Sequence, residues 1–401
     1  MKAEWQLTTV GAVAHVGAGN SAPQDKALFA DGKHPFFRTS DAGRVRFGDI
    51  EESTDYLNDE GIKGLRRFPV GTILFPKSGA STFLNHRVIL GVAGYVSSHL
   101  GTIVGDEAKV NQRFLLYFLS TISAQDLIQD HAYPSLNLPL IGGIPIAIPS
   151  LSEQQRIVAI LDDVFDGIAT AKGHAEQNLQ NARELFVSQR EALLSSKNKW
   201  NEAPLTELCD IKHGYAFEGE YFSSKGDYVL LTPGSFFETG GYRERGEKTK
   251  YFVGPIPPAY ILERGDVLVA MTEQAAGLLG SPLLVPESNR FLHNQRLGLV
   301  IGKQGVPWLN EFFFHVFNLV RVRQEIHSSA SGVKVRHTSP GRIGAVRVKY
   351  PASIEEQRSV AAELDELLKH CERLGDLYKS KIVALDGLKR NLLQRAFNGD
   401  L

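Results

Sequence analysis

Cysteine is nearly absent from this 401-residue chain: Cys209 and Cys371 lie in different parts of the sequence and outside any C-x-x-C spacing. That usage excludes a disulfide framework or a thiolate metal site and fits a reduced, cytoplasmic chain. Long apolar runs are missing too. None approaches the ~18 residues that a membrane helix needs, and residues 1–7 lack the apolar region of a secretory signal. Catalytic signatures are equally scarce. No G-x-x-x-x-G-K-[ST] occurs, because Gly32 and Lys33 run into His34 and Gly302 and Lys303 into Gln304; a P-loop ATPase is excluded. Residues 16–20 (VGAGN) lack the third glycine of a dinucleotide loop and read as a turn. The Asn/Asp-Pro-Pro-aromatic signature of amino-methyltransferases is absent, since residues 255–260 (PIPPAY) hold no acid or amide in place. Twelve histidines form no H-E-x-x-H and none pairs with a cysteine at metal-site spacing. The chain is therefore expected to perform no covalent chemistry and to hold neither metal nor cofactor.

Net charge is also lacking, at −1 from 44 basic and 45 acidic residues. Nucleic-acid binders usually present a strongly basic surface, so any such role here must focus cations on particular loops. Residues 334–349 fit this, with Lys334, Arg336, Arg342, Arg347 and Lys349 and no carboxylate. An edge strand kept soluble by lysine and arginine is the alternative. Apolar content of 43% and charged content of 22% are those of an ordinary globular protein, and the length allows two or three domains.

What the chain does have is a repeat. Residues 150–162 (SLSEQQRIVAILD) match residues 353–365 (SIEEQRSVAAELD) at a shift of 203. Ser150/Ser353, Glu153/Glu356, Gln154/Gln357, Ala159/Ala362, Leu161/Leu364 and Asp162/Asp365 are identical, and Pro149 and Pro351 lie just upstream. A period of half the chain is too long for a solenoid and indicates duplication: globular unit, helix, globular unit, helix. Such a molecule has an approximate two-fold axis, which suits a partner with one of its own; duplex DNA is the obvious candidate.

Residues 1–150 read as short strands and turns, with strands at 70–75, 87–92 and 101–104 and a buried helix at 111–119. The second unit runs parallel, with strands at 265–270 and 296–301 and a helix at 308–317. Trp5 and Trp200 open the two units, and Phe36, Phe37 and Phe312–Phe314 are core. After Ser152, an apolar stripe runs through Val158, Leu161, Phe165, Ile168, Ala175, Leu179, Ala182, Phe186 and Leu193, interrupted by Lys172 and Gln189. After Ser353 the stripe is Leu364, Leu367, Cys371, Leu374, Tyr378, Leu385, Leu388 and Leu392. Alternating three- and four-residue steps over this length have the period of a coiled coil, and ~45 residues make a rod of roughly 65–70 Å. The expected fold is α/β (α+β): two duplicated domains, 1–150 and 200–350, each followed by a long helix, 151–199 and 351–401. The helices are expected to pair as an antiparallel coiled coil through Leu161, Phe165, Ile168, Leu179, Leu364, Leu367, Leu374, Leu385 and Leu388, giving a pseudo-two-fold molecule.

Duplicated variable domains, each followed by a proline, an EQQR or EQR start and a long helix, resemble the DNA-specificity subunit of type I restriction-modification enzymes. Residues 146–162 and the terminal residues 392–401 (LLQRAFNGDL) carry the likeness, with the opening of the second domain from Trp200 to Gly226. The resemblance implies a non-catalytic reader of double-stranded DNA. Each domain would be a target recognition domain for one half of an asymmetric, bipartite sequence. The helices would fix the half-site spacing and dock two methyltransferase subunits, which restriction-translocation subunits join. A coiled-coil scaffold without DNA, or the recognition module of a nuclease or methyltransferase, are the competing readings.

Direct readout needs side chains at base edges, with Asn/Gln suited to adenine, Arg/Lys to guanine or phosphate and Glu to cytosine. Loops after matched strands supply them. In the first domain the candidates are Arg38, Thr39, Ser40, Lys77, Ser78, Asn85, His86, Arg87, Ser97, Ser98 and His99. In the second they are Thr272, Glu273, Gln274, His293, Asn294, Gln295, Arg296, Lys334, Arg336 and His337.

Overall fold

A computed structural model describes residues 5–128, 134–195, 199–274 and 276–401. The chain divides into two compact units, residues 1–176 with 380–401, and residues 177–379. Among the described residues, no helix is long and apolar enough to cross a membrane.

The first unit is built on a mixed five-stranded sheet in the order Ala14–Ala18, Leu100–Gly105, Ile73–Pro76, Arg87–Leu90, Phe47–Ile50. Its central strands are apolar on both faces, as strands covered on both sides must be; Ile73, Leu74 and Phe75 are fully buried. The helix Gln112–Ser120 covers one face, capped by Asn111, whose side chain accepts from the Arg113 and Phe114 amides. A three-stranded sheet, Asp55–Leu57, His34–Phe37, Tyr95–Val96, covers the other side around Phe36 and Phe37. Residues 16–20, read from sequence as a turn, are in fact the end of a strand and the residues just after it. A Cβ at Gly19 would lie 2.2 Å from the Ser97 carbonyl oxygen, so that glycine serves a close backbone approach.

The second unit repeats this plan. Cys209–His213, Leu297–Gly302, Val267–Ala270 and Pro282–Leu284 form a four-stranded sheet in that order. Cys209 pairs with Gly302 and His213 with Gly298, as Ala14 pairs with Gly105 and Ala18 with Gly101 in the first unit. Asn310–Phe317 is the covering helix, with Phe312, Phe313 and Phe317 buried. Gly214 repeats Gly19: a Cβ there would lie 2.3 Å from the Asn294 carbonyl oxygen.

Two helices of 45 residues, Leu151–Ser195 and Ile354–Asn398, contribute a segment to each unit. In the first unit Lys172 Nζ meets Asp386 at 2.8 Å, while Arg156 Nη2 donates to the Leu401 carbonyl at 2.8 Å. In the second, Gly375 lies beside Leu179, and Cys371 beside the Phe186 backbone. Partner numbers fall as residue numbers rise, so the segments pair antiparallel within each unit. Ile157, Leu161, Phe165 and Ile168 pack with Leu393 and Ala396 in one core, and Leu194 with Val360, Ala361 and Leu364 in the other. Leu385 joins the first core, partly buried, and Leu179 and Leu367 are also partly buried. Leu374 and Leu388 depart from the expected pairing, at 40% and 46% exposed. The reason at Leu374 is its neighbour: Gly375 is the buried residue at this turn, and it lies against Leu179.

Gln154 and Gln357, the repeated glutamines, are both fully buried. Gln154 accepts from the Asn111 amide at 2.7 Å and donates to the carbonyls of Lys109 and Pro149. Gln357 accepts from the Leu309 amide at 2.9 Å and donates to the carbonyls of Pro307 and Pro351. Each side chain thereby satisfies backbone groups at the junction of globular unit and long helix. About two turns later, Asp162 meets Tyr117 and Arg113, and Asp365 meets His315 Nε2 at 2.9 Å.

Candidate nucleic-acid interface

Three loops converge in each unit, joined by the same two backbone hydrogen bonds. In the first, the Lys77 amide donates to the His99 carbonyl at 3.1 Å, and the Leu136 amide to the Lys77 carbonyl at 2.8 Å. In the second, the Met271 amide donates to the Arg296 carbonyl at 3.0 Å, and the Thr338 amide to the Met271 carbonyl at 2.9 Å. Lys77 therefore corresponds to Met271, His99 to Arg296 and Leu136 to Thr338. His99 and Arg296 are exposed. The duplicated scaffold presents an imidazole at one site and a guanidinium at the other.

Around the first junction, the Ser98 amide donates to Asn20 at 2.7 Å and the Ser97 amide to Phe37 at 2.9 Å, which brings Arg38–Ser40 alongside. Ser78 Oγ lies 3.0 Å from His99 Nδ1. Arg38 is half-buried, paired with Asp55 and packed over the rings of Phe29 and Phe36. Thr39 and Ser40 open the short helix Thr39–Val45, and Ser40 is exposed. Lys77 makes no ion pair among the described residues. Asn85 and His86 lie elsewhere: Asn85, at φ +52°, accepts from the Ala124 amide, and His86 sits beside Gly43. Burial and the neighbouring Arg46 and Arg87 hold the His86 imidazole below its ordinary pKa.

Five of the candidates are buried and correct the sequence reading. Arg87 is fully buried, 3.5 Å above the Phe75 ring, and donates to the carbonyls of His86 and Ile122. Burial pushes its guanidinium down to about 9, so it is a core cation closed in by the 120–124 segment. Ser97 is buried in the loop that joins the two sheets. Glu273 is 3% exposed; its Oε2 accepts from the amides of Gly277, Leu278 and Leu279, each at 3.0 Å. That carboxylate clamps its own loop and does not face solvent. His293 and Asn294 are buried as well, with His293 Nε2 donating to the Leu297 carbonyl at 2.9 Å and Asn294 Oδ1 accepting from the Arg296 amide at 3.0 Å.

Thr272 pairs with His337 and Glu273 with Arg336 in a two-stranded ribbon. Arg336 turns inward, its Nη2 donating to the His327 carbonyl at 2.6 Å and its Nη1 lying 2.8 Å from the Nδ1 of that imidazole. It is therefore spent on tying the ribbon to the helix Val320–Ser328. Gln274, Gln295, Arg296, Lys334 and His337 are exposed, and Arg296 and Lys334 make no ion pair among the described residues. Sequence reasoning missed Asn20 and Tyr215, which follow the two close-approach glycines. They pair with Ser97 and Asn294 in the same parallel bridge; the glycine-plus-one spacing in the two repeats was the available signal. Among the described residues, no group of three or more His, Cys, Asp or Glu is arranged to hold a metal ion.

A family model described as the type I restriction modification DNA specificity domain matches the chain twice, at residues 2–181 and 197–376. A putative type I restriction enzyme specificity subunit of Haemophilus influenzae is 20% identical over 307 residues, 73% of this chain and 74% of that protein. The type I restriction enzyme MjaIX specificity subunit of Methanocaldococcus jannaschii is 25% identical over 196 residues, 46% of this chain and 43% of that protein. Among solved structures, a chain from a study of complex assembly and conformational transition in a type I R-M system aligns with a TM-score of 0.79. It is 16% identical, with 100% of this chain and 99% of that chain covered. The HsdS subunit from Thermoanaerobacter tengcongensis aligns at 0.61, also 16% identical, over 100% and 98%.

Proposed function

Because the chain belongs to the DNA specificity domain family of type I restriction-modification systems, we propose that it is the target-reading, non-catalytic subunit of such a system. Each globular domain, 1–150 and 200–350, reads one half of a bipartite site in double-stranded DNA. The helical segments 151–199 and 351–401 set the interval between half-sites and dock two methyltransferase subunits in the cytoplasm. Restriction-translocation subunits join through those.

The observation that carries this reading is the repeated three-loop junction bearing different exposed side chains, His99 in one unit and Arg296 in the other. One scaffold with two surfaces reads two different sequences, so the target is asymmetric. The exposed or half-exposed set Arg38, Thr39, Ser40, Lys77, Ser78, Ser98 and His99 serves the first half-site. Thr272, Gln274, Gln295, Arg296, Lys334 and His337 serve the second. Arginine and glutamine read purine edges by paired hydrogen bonds, and lysine neutralises phosphate. Near-neutral net charge agrees with cations confined to these loops.

Docking is supported by apolar side chains left uncovered on the helices. Leu185, Leu374 and Leu377 in the second unit are 45%, 40% and 62% exposed, and Val383 and Leu388 in the first are 68% and 46% exposed. Apolar exposure of this kind marks a protein contact.

The test is a methylome of cells carrying this chain with a type I methyltransferase subunit, against cells lacking the chain. A new gapped, asymmetric motif is the expected result. A stable complex with the methyltransferase that methylates no new motif would overturn the reading in favour of a scaffold.

A further inference from the structure

Beside the second unit's reading loop lies a cavity of about 200 Å³, lined by Phe217, Phe222, Leu230, Lys250, Asn294 and Gln295. Phe217, Leu230 and Asn294 are buried and form its floor, whereas Phe222, Lys250 and Gln295 are exposed and form its mouth. Phe217 and Phe222 are its aromatic lining, and Phe217 is held from behind by edge-on packing against Tyr215 at 5.1 Å and Phe252 at 4.8 Å. Phe222 lies at 39% exposure with Lys250 Nζ 5.5 Å above its ring. The first unit places different side chains at the equivalent positions. Counting from the paired glycines Gly19 and Gly214, Asn20 stands for Tyr215 and Ala22 for Phe217. Asn20 is closed onto the Arg66 backbone, accepting at 2.8 Å and donating at 2.9 Å.

We propose that this cavity takes one nucleobase, turned out of the duplex stack, from the half-site read by the second unit. The inference rests on the DNA-reading function. A paired base shows the grooves only its edge, so an aromatic ring face in this cavity can stack on a base only once that base has left the stack. A cavity of roughly 150 Å³ is enough for a benzene ring, and this one holds a pyrimidine with room for its exocyclic groups. The base stacks on Phe222, and the amides of Gln295 and Asn294 offer the donors and acceptors that a Watson–Crick edge requires. Lys250 and Arg296 flank the mouth, where the phosphates on either side of the extruded nucleotide lie. The two half-sites are therefore read differently: the first through polar contacts on a stacked duplex, the second through one extruded base.

The experiment uses the full chain in complex with its methyltransferase. Duplexes of the target found by methylome carry 2-aminopurine or pyrrolo-deoxycytidine at successive positions of each half-site. Beyond the base that the methyltransferase itself extrudes in each half-site, fluorescence is expected to rise several-fold at one further position of the second half-site and at none of the first. Phe222→Ala and Gln295→Ala should abolish the rise, Phe222→Ala should weaken binding about tenfold, and Phe222→Trp should retain both. Duplex bound at native affinity with no bright position beyond the bases that the methyltransferase extrudes would overturn the pocket while leaving DNA reading intact. A further bright position indifferent to Phe222→Ala would do the same. A complex that binds no duplex would remove the DNA reading and the pocket with it.

Discussion

His293 shows how a side chain singled out from sequence as a DNA contact serves the fold instead. It is 1% exposed, with Nε2 bound to the Leu297 carbonyl. Burial pushes its imidazole down from 6.5 to about 4, and nearby His213 adds to the effect against the opposing backbone bond. The unfolded chain therefore takes up a proton between pH 6.5 and 4 that the folded chain refuses. Stability from this residue is complete above the unfolded pKa and is lost as pH falls through that window, by up to about 3 kcal/mol. Denaturant midpoints measured at about pH 7.5 and about pH 4.5 should differ accordingly, and His293→Gln should remove most of that difference. An unchanged difference would place the proton uptake elsewhere. Such roles were hard to read from sequence. Arg87, next to Asn85 and His86, has the look of a loop cation until Phe75 and the Ile122 carbonyl close over it. Glu273 likewise looks like a base-reading acid, and only the three amides of its own loop show where its charge is spent.

At the scale of elements, much more was legible. Short continuous apolar runs bounded by turn glycines placed the central strands within a few residues, and the repeated Ser-to-Asp motif marked both helix starts. Identity at Gln154 and Gln357 pointed to a shared role, which three buried hydrogen bonds in each unit supply. The stripe failed where packing used absence of side chain: a glycine adds no weight to an apolar pattern, yet Gly375 is the residue turned to the partner segment. The consequence separates two leucines of the same expected stripe. Leu161 is 1% exposed, so Leu161→Glu buries a charge and should cost about 4 kcal/mol. Leu374→Glu, at 40% exposure, should cost under about 1 kcal/mol while weakening capture of the methyltransferase. Thermal unfolding and co-purification read the two effects separately. Equal losses of stability would mean that Leu374 is a packed position after all.

For the whole molecule, duplication predicts that the two recognition surfaces can be altered independently. Neither the near-zero net charge nor the repeat told which loop side chains face outward; the three-loop junctions do, by exposing His99, Arg296, Gln274 and Gln295 while burying Leu100, Glu273, Asn294 and Leu297. Two kinds of contact then have different signatures. Lys334, on an exposed loop tip with no ion pair among the described residues, suits a phosphate. Lys334→Ala should weaken binding to every sequence alike and flatten the slope of log K against log salt by about one. Arg296 belongs to the three-loop junction of the second unit, where the first unit has His99. Arg296→Ala should relax one base position of one half-site, by about 1–3 kcal/mol, and leave the other half-site untouched in the methylome. Relaxation in both half-sites at once would mean that Arg296 acts through the fold and not through its own contact. An unchanged motif with a shallower salt slope would instead move Arg296 to the phosphates, leaving Gln274 and Gln295 as the second unit's readers.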